Sequence, residues 1–193
     1  MDKYDIIINA EQQFAREVSL GAIYLRPPSV WHYVIPGMFI IDFLRRGSTI
    51  RKYTETFMFP RKLALQAARD LCGGNTIASM APSRETEIKN WLTALKLDSQ
   101  DLVLAQTETV DLLIDHYVKL LQAEGDNYYD LIQNAYSSHG NFEAHLRQIT
   151  AAENKVDRAI LAKVGDNPAV KEKLQLEAQQ VENRRRKILE DIF

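Results

Sequence analysis

The chain has 193 residues, of which 46% are hydrophobic and 26% are charged, and its formal net charge is −2. This balance argues against intrinsic disorder and against a dedicated nucleic-acid-binding domain, which is usually strongly basic. The single cysteine, Cys72, excludes an intramolecular disulfide framework and leaves no cysteine cluster for a structural zinc ion. We therefore expect a protein of the reducing cytoplasm.

The N-terminal part of the chain predicts one helix followed by a break. Apolar residues recur at helical spacing over residues 4–20. Pro27 and Pro28 then exclude a continuing helix, because proline lacks an N–H and disfavours the α conformation of the residue before it. Pro36-Gly37 is a second break.

Local signals divide the next part of the chain into short helices. A helix over 38–46 is expected to end at Gly47, since glycine is favoured just beyond a helix C-terminus. A second helix follows, and a third is expected over 60–72, because Pro60 is tolerated in a first helical turn. We expect residues 73–83 to form a loop.

The middle of the chain predicts three further helices, over 84–97, 99–123 and 128–138. The second of them begins at Ser99, a residue type that caps helix N-termini, and it has the clearest amphipathic pattern in this part of the chain. We therefore expect it to be a core helix. Its apolar positions are Leu102, Ala105, Val110, Leu113, Tyr117, Leu120 and Leu121.

Two long helices are predicted at the C-terminus, over 142–163 and 168–192, and a tight turn joins them. Each carries a stripe of near-heptad spacing, which favours an antiparallel helical hairpin with coiled-coil character. The stripes are Phe142, Leu146, Ile149, Glu153, Val156, Ile160 and Lys163 on the first helix, and Val170, Leu174, Ala178, Val181, Arg185, Ile188 and Ile192 on the second.

Together these elements predict an all-α fold. Alternating runs typical of strands are almost absent. We expect a multi-helix globular body over 1–138 and a long C-terminal helical hairpin over 141–193.

The chain contains residue types that bind metals, but their spacing matches neither of two common metal-binding motifs. No Glu-x-x-His or His-x-x-x-His occurs. Asp111, Asp115 and His116 are interpreted as a solvated acidic face, and His139 and His145, on either side of a predicted break, as surface residues. We therefore expect no metal and no cofactor.

Candidates for catalysis and for nucleic-acid binding are also weak. Cys72 lies near a predicted helix C-terminus, where the helix dipole disfavours a thiolate, and it is interpreted as a packed residue. The run 184–187 is interpreted as a solvated basic face, because Glu182, Arg186 and Glu190 give i,i+4 pairs of opposite charge. Arg185 falls on the predicted stripe, with its head expected to reach water. No catalytic constellation is found, so an enzyme is not the favoured interpretation.

One segment, residues 30–62, differs from the rest of the chain, and we call it the basic-aromatic segment. Counted over 26–62, the apolar and basic stretch that contains it, the local net charge is +5 in a chain whose remainder is acidic. Asp42 interrupts its apolar run, and Arg45 or Arg46 is placed to pair with it. The segment is either the central buried helix of the bundle or a partly exposed contact surface. The candidate contact residues are Trp31, Tyr33, Phe39, Asp42, Phe43, Arg45, Arg46, Arg51 and Lys52.

The sequence leaves two functions open. The favoured one is a non-enzymatic interaction or adaptor protein whose basic-aromatic segment contacts a protein partner or the anionic cytoplasmic face of a membrane, as a peripheral protein. The C-terminal hairpin also allows a homo-oligomer, whereas a nucleic-acid partner is not expected. The alternative is a helical bundle that binds an apolar small molecule between helices, near Tyr33, Phe39, Trp91 and Tyr117.

Overall fold

The computed structural model describes residues 2–24, 38–165 and 168–193, with side chains described in these ranges except at 22–24, 38–49 and Ala169. All of the regular structure in this part of the chain is α-helical, which confirms the all-α fold class. The helices are α1 (Lys3–Tyr24), α2 (Met38–Cys72), α3 (Ile77–Ala94), α4 (Gln100–Gln122), α5 (Tyr128–Tyr136), α6 (His139–Val164) and α7 (Pro168–Ile192).

Helix α2 is one continuous helix of 35 residues where the sequence predicts three short ones. Neither Gly47 nor Pro60 ends it. A proline inside a helix costs about 3 kcal/mol because one backbone hydrogen bond is lost. Here Pro60 is itself buried, and the neighbouring Met58 and Leu65 are fully buried where α2 packs against α1 and α4. At Pro60, tertiary packing outweighs the local breaking signal.

Helix α3 begins earlier than predicted, so most of the expected loop over 73–83 is helical. Thr76 is the N-cap, and its side chain accepts a hydrogen bond from the backbone N–H of Ser79 at 3.3 Å. Pro82 lies inside the helix. The loop is reduced to the few residues around Gly74, which has a φ of +102°.

The predicted core helix is confirmed as α4, which packs against α1, α2, α3, α5 and α6. Ser99 caps it as predicted, accepting from the N–H of Leu102 at 3.2 Å. Polar residues share the buried face with the predicted apolar ones. The buried residues of α4 are Leu102, Gln106, Thr109, Val110, Leu113, Ile114, His116, Tyr117 and Leu120.

The two C-terminal helices form where the sequence predicts them, as α6 and α7. They contact each other, and α6 also packs against α4 while α7 also packs against α1. Phe142 and Ile149 of α6 and Val181 of α7 are buried positions of the predicted stripes. The antiparallel coiled-coil hairpin, as a separate unit from the body, stays a prediction.

Candidate functional site

Four charged side chains from four helices meet in the centre of the bundle, and we call them the buried network: Glu11 (α1), Arg61 (α2), Glu153 (α6) and Arg185 (α7). Arg61 donates from Nε to Glu11 Oε2 at 3.0 Å and from Nη2 to Glu153 Oε1 at 3.5 Å. Arg185 donates to both oxygens of Glu153, from Nη1 at 2.6 Å and from Nη2 at 2.8 Å. The two arginines are only 6% and 8% exposed. Two positive and two negative groups therefore compensate one another.

The surroundings of Arg61 keep its guanidinium charged. Burial by itself lowers the pKa of Arg61, but Glu11 and Glu153 raise the pKa above its ordinary value. Its Nη1 donates to the carbonyl oxygen of Phe57 at 3.2 Å, and its Cζ lies 3.8 Å from the centre of the Phe57 ring. Burial likewise raises the pKa of Glu153, while Arg185 and Arg61 together hold it below its ordinary value. Both groups are thus charged at neutral pH.

The sequence prediction for the basic run 184–187 is wrong for its first half. Arg184 pairs with Glu17 of α1 instead of facing water, and Arg185 is buried against Glu153. Arg186 does form the predicted i,i+4 pair with Glu182, at 3.3 Å. One signal was available: Glu153 and Arg185 are opposite charges at stripe positions of two helices that were predicted to pair.

A cavity of about 340 Å³ lies on one side of the buried network, between α2, α3, α4, α6 and α7, and we call it the acidic cavity. Aromatic side chains form part of its wall, with Trp91 stacked on Phe59 at 4.6 Å between ring centres. Arg61, Glu153 and Arg185 of the buried network also line it. The wall also includes Tyr53, Phe57, Asp157, Glu177 and Val181.

Two carboxylates of the acidic cavity lack compensating charge. Asp157 and Glu177 form no ion pair within the part of the chain that the structure describes. Burial raises the pKa of Asp157 to about 7, with added repulsion from Glu177 and Glu153. Burial also raises the pKa of Glu177, and burial together with Glu177 raises the pKa of Tyr53 well above its ordinary value. The cavity therefore disfavours its own negative charge.

A second cavity, of about 360 Å³, lies between α1, α4, α5, α6 and α7, and we call it the histidine cavity. His116 and His145 lie in its wall with their rings nearly parallel and 4.8 Å apart. His116 Nδ1 is 2.7 Å from the hydroxyl of Tyr136. Burial lowers the pKa of both histidines, that of His145 to about 4, and the positive charges of Lys119 and Arg185 lower them further. Both rings are neutral at pH 7.

The histidine predictions are corrected by this arrangement. His116 does not belong to a solvated acidic face, because it is 5% exposed on the inner side of α4. His145 is 7% exposed, so it is not a surface residue, whereas His139 is exposed as expected. Lone histidines give no signal that separates these cases, since their burial depends on contacts between α4, α5 and α6.

The structure also bears on the predictions for Asp111 and Cys72. Asp111 is half-exposed, but it accepts from Arg84 Nη2 at 2.7 Å, and Arg84 is 6% exposed. Cys72, predicted to be packed, is exposed at the last residue of α2. No group of three or more His, Cys, Asp or Glu side chains suited to a metal ion occurs among the described residues.

The basic-aromatic segment is only partly described. Trp31 and Tyr33 lie outside the described residues, and so do the side chains of the α2 contact candidates, Phe39, Asp42, Phe43, Arg45 and Arg46. Arg51 and Lys52 are exposed, with Arg51 Nε 3.9 Å from Glu55 Oε1. None of the described helices combines the length and apolarity needed to cross a bilayer. A contact surface for a protein or a membrane therefore stays a prediction.

Comparison with known proteins adds no further candidate residue. No protein-family model matches the chain, no curated protein matches it, and no solved structure matches it.

Proposed function

We propose that the protein binds an apolar small molecule with a positively charged group, and that the acidic cavity is the binding site. The observation that supports this most directly is the pair Asp157 and Glu177, which lies in an aromatic-walled cavity without compensating charge. This develops the alternative of a ligand between helices: of the residues named for it, Trp91 lines the cavity, whereas Tyr117 is fully buried in the core and is not part of the lining.

Electrostatics favour a cation over a neutral or negative ligand. Burial destabilises both carboxylates as anions, and repulsion from Glu177 raises the pKa of Asp157 further. A bound ammonium group compensates both, and an opposite charge within about 4–6 Å lowers a carboxyl pKa by about 1–3 units. Ligand binding and ionisation of Asp157 and Glu177 therefore stabilise each other.

The arginines of the buried network do not oppose a cation. Arg61 and Arg185 line the acidic cavity, but Glu11 and Glu153 balance their two charges. The excess charge of the cavity thus comes from Asp157 and Glu177.

Size and wall chemistry favour a compact aromatic or aliphatic amine. A volume of about 340 Å³ is at the lower end of the range of about 300–1,000 Å³ for small-molecule sites. Tyr53, Phe57 and Trp91 supply apolar area, and their ring faces attract a cation.

The proposal includes the antiparallel pairing of the two C-terminal helices. Val156, Asp157 and Ile160 of α6 line the acidic cavity together with Leu174, Glu177 and Val181 of α7. In this proposal the predicted hairpin has a binding role, and its polar stripe positions, Glu153 and Arg185, line the site.

The test compares ligands that share one ring system. Tryptamine carries an ammonium group, indole-3-acetamide is uncharged and of similar size, and both are titrated by calorimetry at pH 8. We expect tryptamine to bind at least tenfold more tightly, and the double variant Asp157→Asn/Glu177→Gln to remove that preference. Glu190→Gln, at an exposed position of the same helix as Glu177, is the control and should retain it. Equal or undetectable binding of the two compounds by the unmodified protein rejects the proposal.

A further inference from the structure

Two buried polar side chains of α4 belong to the wall of the acidic cavity. Gln106 and Thr109 are each only 4% exposed, and both line the cavity. They are three positions apart, so they lie on the same face of the helix. A helix face that packs in a core is ordinarily apolar, and a polar group buried there ordinarily has a hydrogen-bond partner. The partners of these two side chains therefore indicate what the cavity accommodates.

Thr109 has a hydrogen-bond partner within its own helix, whereas Gln106 does not. Thr109 Oγ1 donates to the backbone oxygen of Ala105 at 3.0 Å, and its own lone pairs can still accept. The side-chain amide of Gln106 forms no hydrogen bond with the described residues. It is not one of the unpartnered groups that are sealed from solvent, so it reaches the open volume of the cavity that Gln106 lines. A bound molecule can therefore supply the missing partner.

Gln106 lies at about the same level of the bundle as Asp157. Two contacts fix the alignment of α4 and α6: Lys155 donates to Glu108, and Lys163 donates to the backbone oxygen of Asp98, both at 2.8 Å. The two helices are thus antiparallel, and moving two positions back from Glu108 to Gln106 moves two positions on from Lys155 to Asp157. The amide of Gln106 and the carboxylates of Asp157 and Glu177 therefore line one small cavity from different helices.

An uncharged group that both donates and accepts hydrogen bonds fits Gln106 best. Its amide has a donor and an acceptor, and the oxygen of Thr109 adds an acceptor. A second ammonium group would be attracted more strongly to Asp157 and Glu177, and a carboxylate would be repelled by them. A hydroxyl group is the smallest group that donates and accepts, and it leaves the rest of the cavity to an apolar ring.

We infer that the acidic cavity is selective for amines that carry a hydroxyl group at the end remote from the ammonium, and that Gln106 is the residue that selects them. The ammonium pairs with Asp157 and Glu177, the ring packs against Trp91, and the hydroxyl is hydrogen-bonded by Gln106. A site that hydrogen-bonds a ligand hydroxyl discriminates against an analogue lacking it, because the polar group of the site is then left unpaired. This inference rests on the proposed function for the ammonium end of the ligand.

Two amines that differ in one group provide the test on the unmodified protein. Tyramine carries a phenolic hydroxyl where 4-methylphenethylamine carries a methyl group of similar size, and the rest of the two molecules is identical. In calorimetry at pH 8 we expect tyramine to bind about tenfold more tightly, which is the scale of one hydrogen bond in a buried site. Equal affinity, or tighter binding of the methyl compound, overturns the inference and leaves the proposed function intact.

A variant assigns the preference to its residue. Leucine is similar in size to glutamine but has no hydrogen-bonding group, so in Gln106→Leu the methyl compound should bind as tightly as tyramine or more tightly. Gln122→Leu, the same substitution at an exposed position of α4, is the control and should retain the preference for tyramine. A preference for tyramine that persists in Gln106→Leu overturns the assignment to Gln106.

NMR on the unmodified protein covers the case in which Gln106→Leu does not fold. The side-chain N–H signals of Gln106 should shift saturably with tyramine and much less with 4-methylphenethylamine. Signals that move equally with both amines, or with neither, overturn the inference. Absence of binding by both amines and by tryptamine rejects the proposed function and this inference together.

Discussion

Glu153 of α6 and Arg185 of α7, 32 positions apart in the chain, are joined by two hydrogen bonds of 2.6 and 2.8 Å. The same carboxylate also receives Arg61 from α2 at 3.5 Å. One glutamate therefore compensates two buried guanidinium groups. Its two arginine partners line both cavities, and Glu153 itself lines the acidic cavity.

Removing the charge of Glu153 should be strongly destabilising. Glu153→Gln leaves Arg61 and Arg185 buried with half of their compensating charge, and breaking a buried pair from one side costs about 3–5 kcal/mol. The measurement is urea unfolding at pH 7. Glu143→Gln in the same helix removes the partner of Arg147, which is exposed, and should cost less than about 1 kcal/mol. Equal costs for the two variants would show that the buried network is not formed in solution.

Sequence patterns predict the helices but not the contacts that form the buried network and the cavities. Helical periodicity is local, so each of the seven helices in the described part of the chain has a counterpart among the predicted ones, and the start at Ser99 and the stop at the glycines after Cys72 are recognisable. The continuity of α2 through Pro60 depends on packing against other helices, which local signals do not contain. The contact of Glu11 with Arg61 spans 50 positions, and nothing in the spacing of either residue indicates it.

The raised pKa of Asp157 predicts a gain in stability when its charge is removed at high pH. A carboxyl whose pKa rises on folding, here from 3.8 to about 7, stabilises the folded state less and less as pH increases through this window. Asp157→Asn should therefore have little effect near pH 4 and should raise the melting temperature at pH 8. Discounted for partial solvent screening, the gain is on the order of 1 kcal/mol, or about 2–4 °C for a chain of this size.

Calorimetric melts at pH 4 and pH 8 provide this comparison. Asp101→Asn, at an exposed position of α4, is the control and should not show the pH-dependent gain. A melting temperature that is lowered by Asp157→Asn at pH 8 would mean that this carboxylate has a stabilising partner.

The buried histidines predict the opposite pH dependence. Folding lowers their pKa values, so their contribution to stability is fully present above about pH 6.5 and is lost as the pH falls. For His145 this loss takes place between about pH 6.5 and pH 4. In the Asp157→Asn background, which removes the opposing carboxyl, the free energy of unfolding should decrease between pH 6.5 and pH 4. His145→Phe should flatten this decrease, whereas His139→Phe, at an exposed position, should not.

Two glycines provide a test of the backbone near α5. Gly125 has a φ of +156°, and a methyl group there would lie 2.9 Å from the backbone nitrogen of Leu131. Gly125→Ala should therefore cost about 1–3 kcal/mol. Gly140 lies in the first turn of α6 with nothing within 4 Å of an added methyl group, so Gly140→Ala should be neutral or stabilise by up to about 1 kcal/mol. Chemical denaturation ranks the two variants, and the reverse order would contradict the placement of this loop.

The acidic cavity is tested most directly by the pKa of Asp157, measured by NMR on its side-chain carboxyl carbon with and without saturating tryptamine. Without ligand the pKa is predicted to be about 7. A bound ammonium group stabilises the ionised form, so saturation should lower the pKa by at least one unit, while indole-3-acetamide should leave it unchanged. A pKa of Asp157 that stays the same when tryptamine is bound would contradict the assignment of this cavity to a basic ligand.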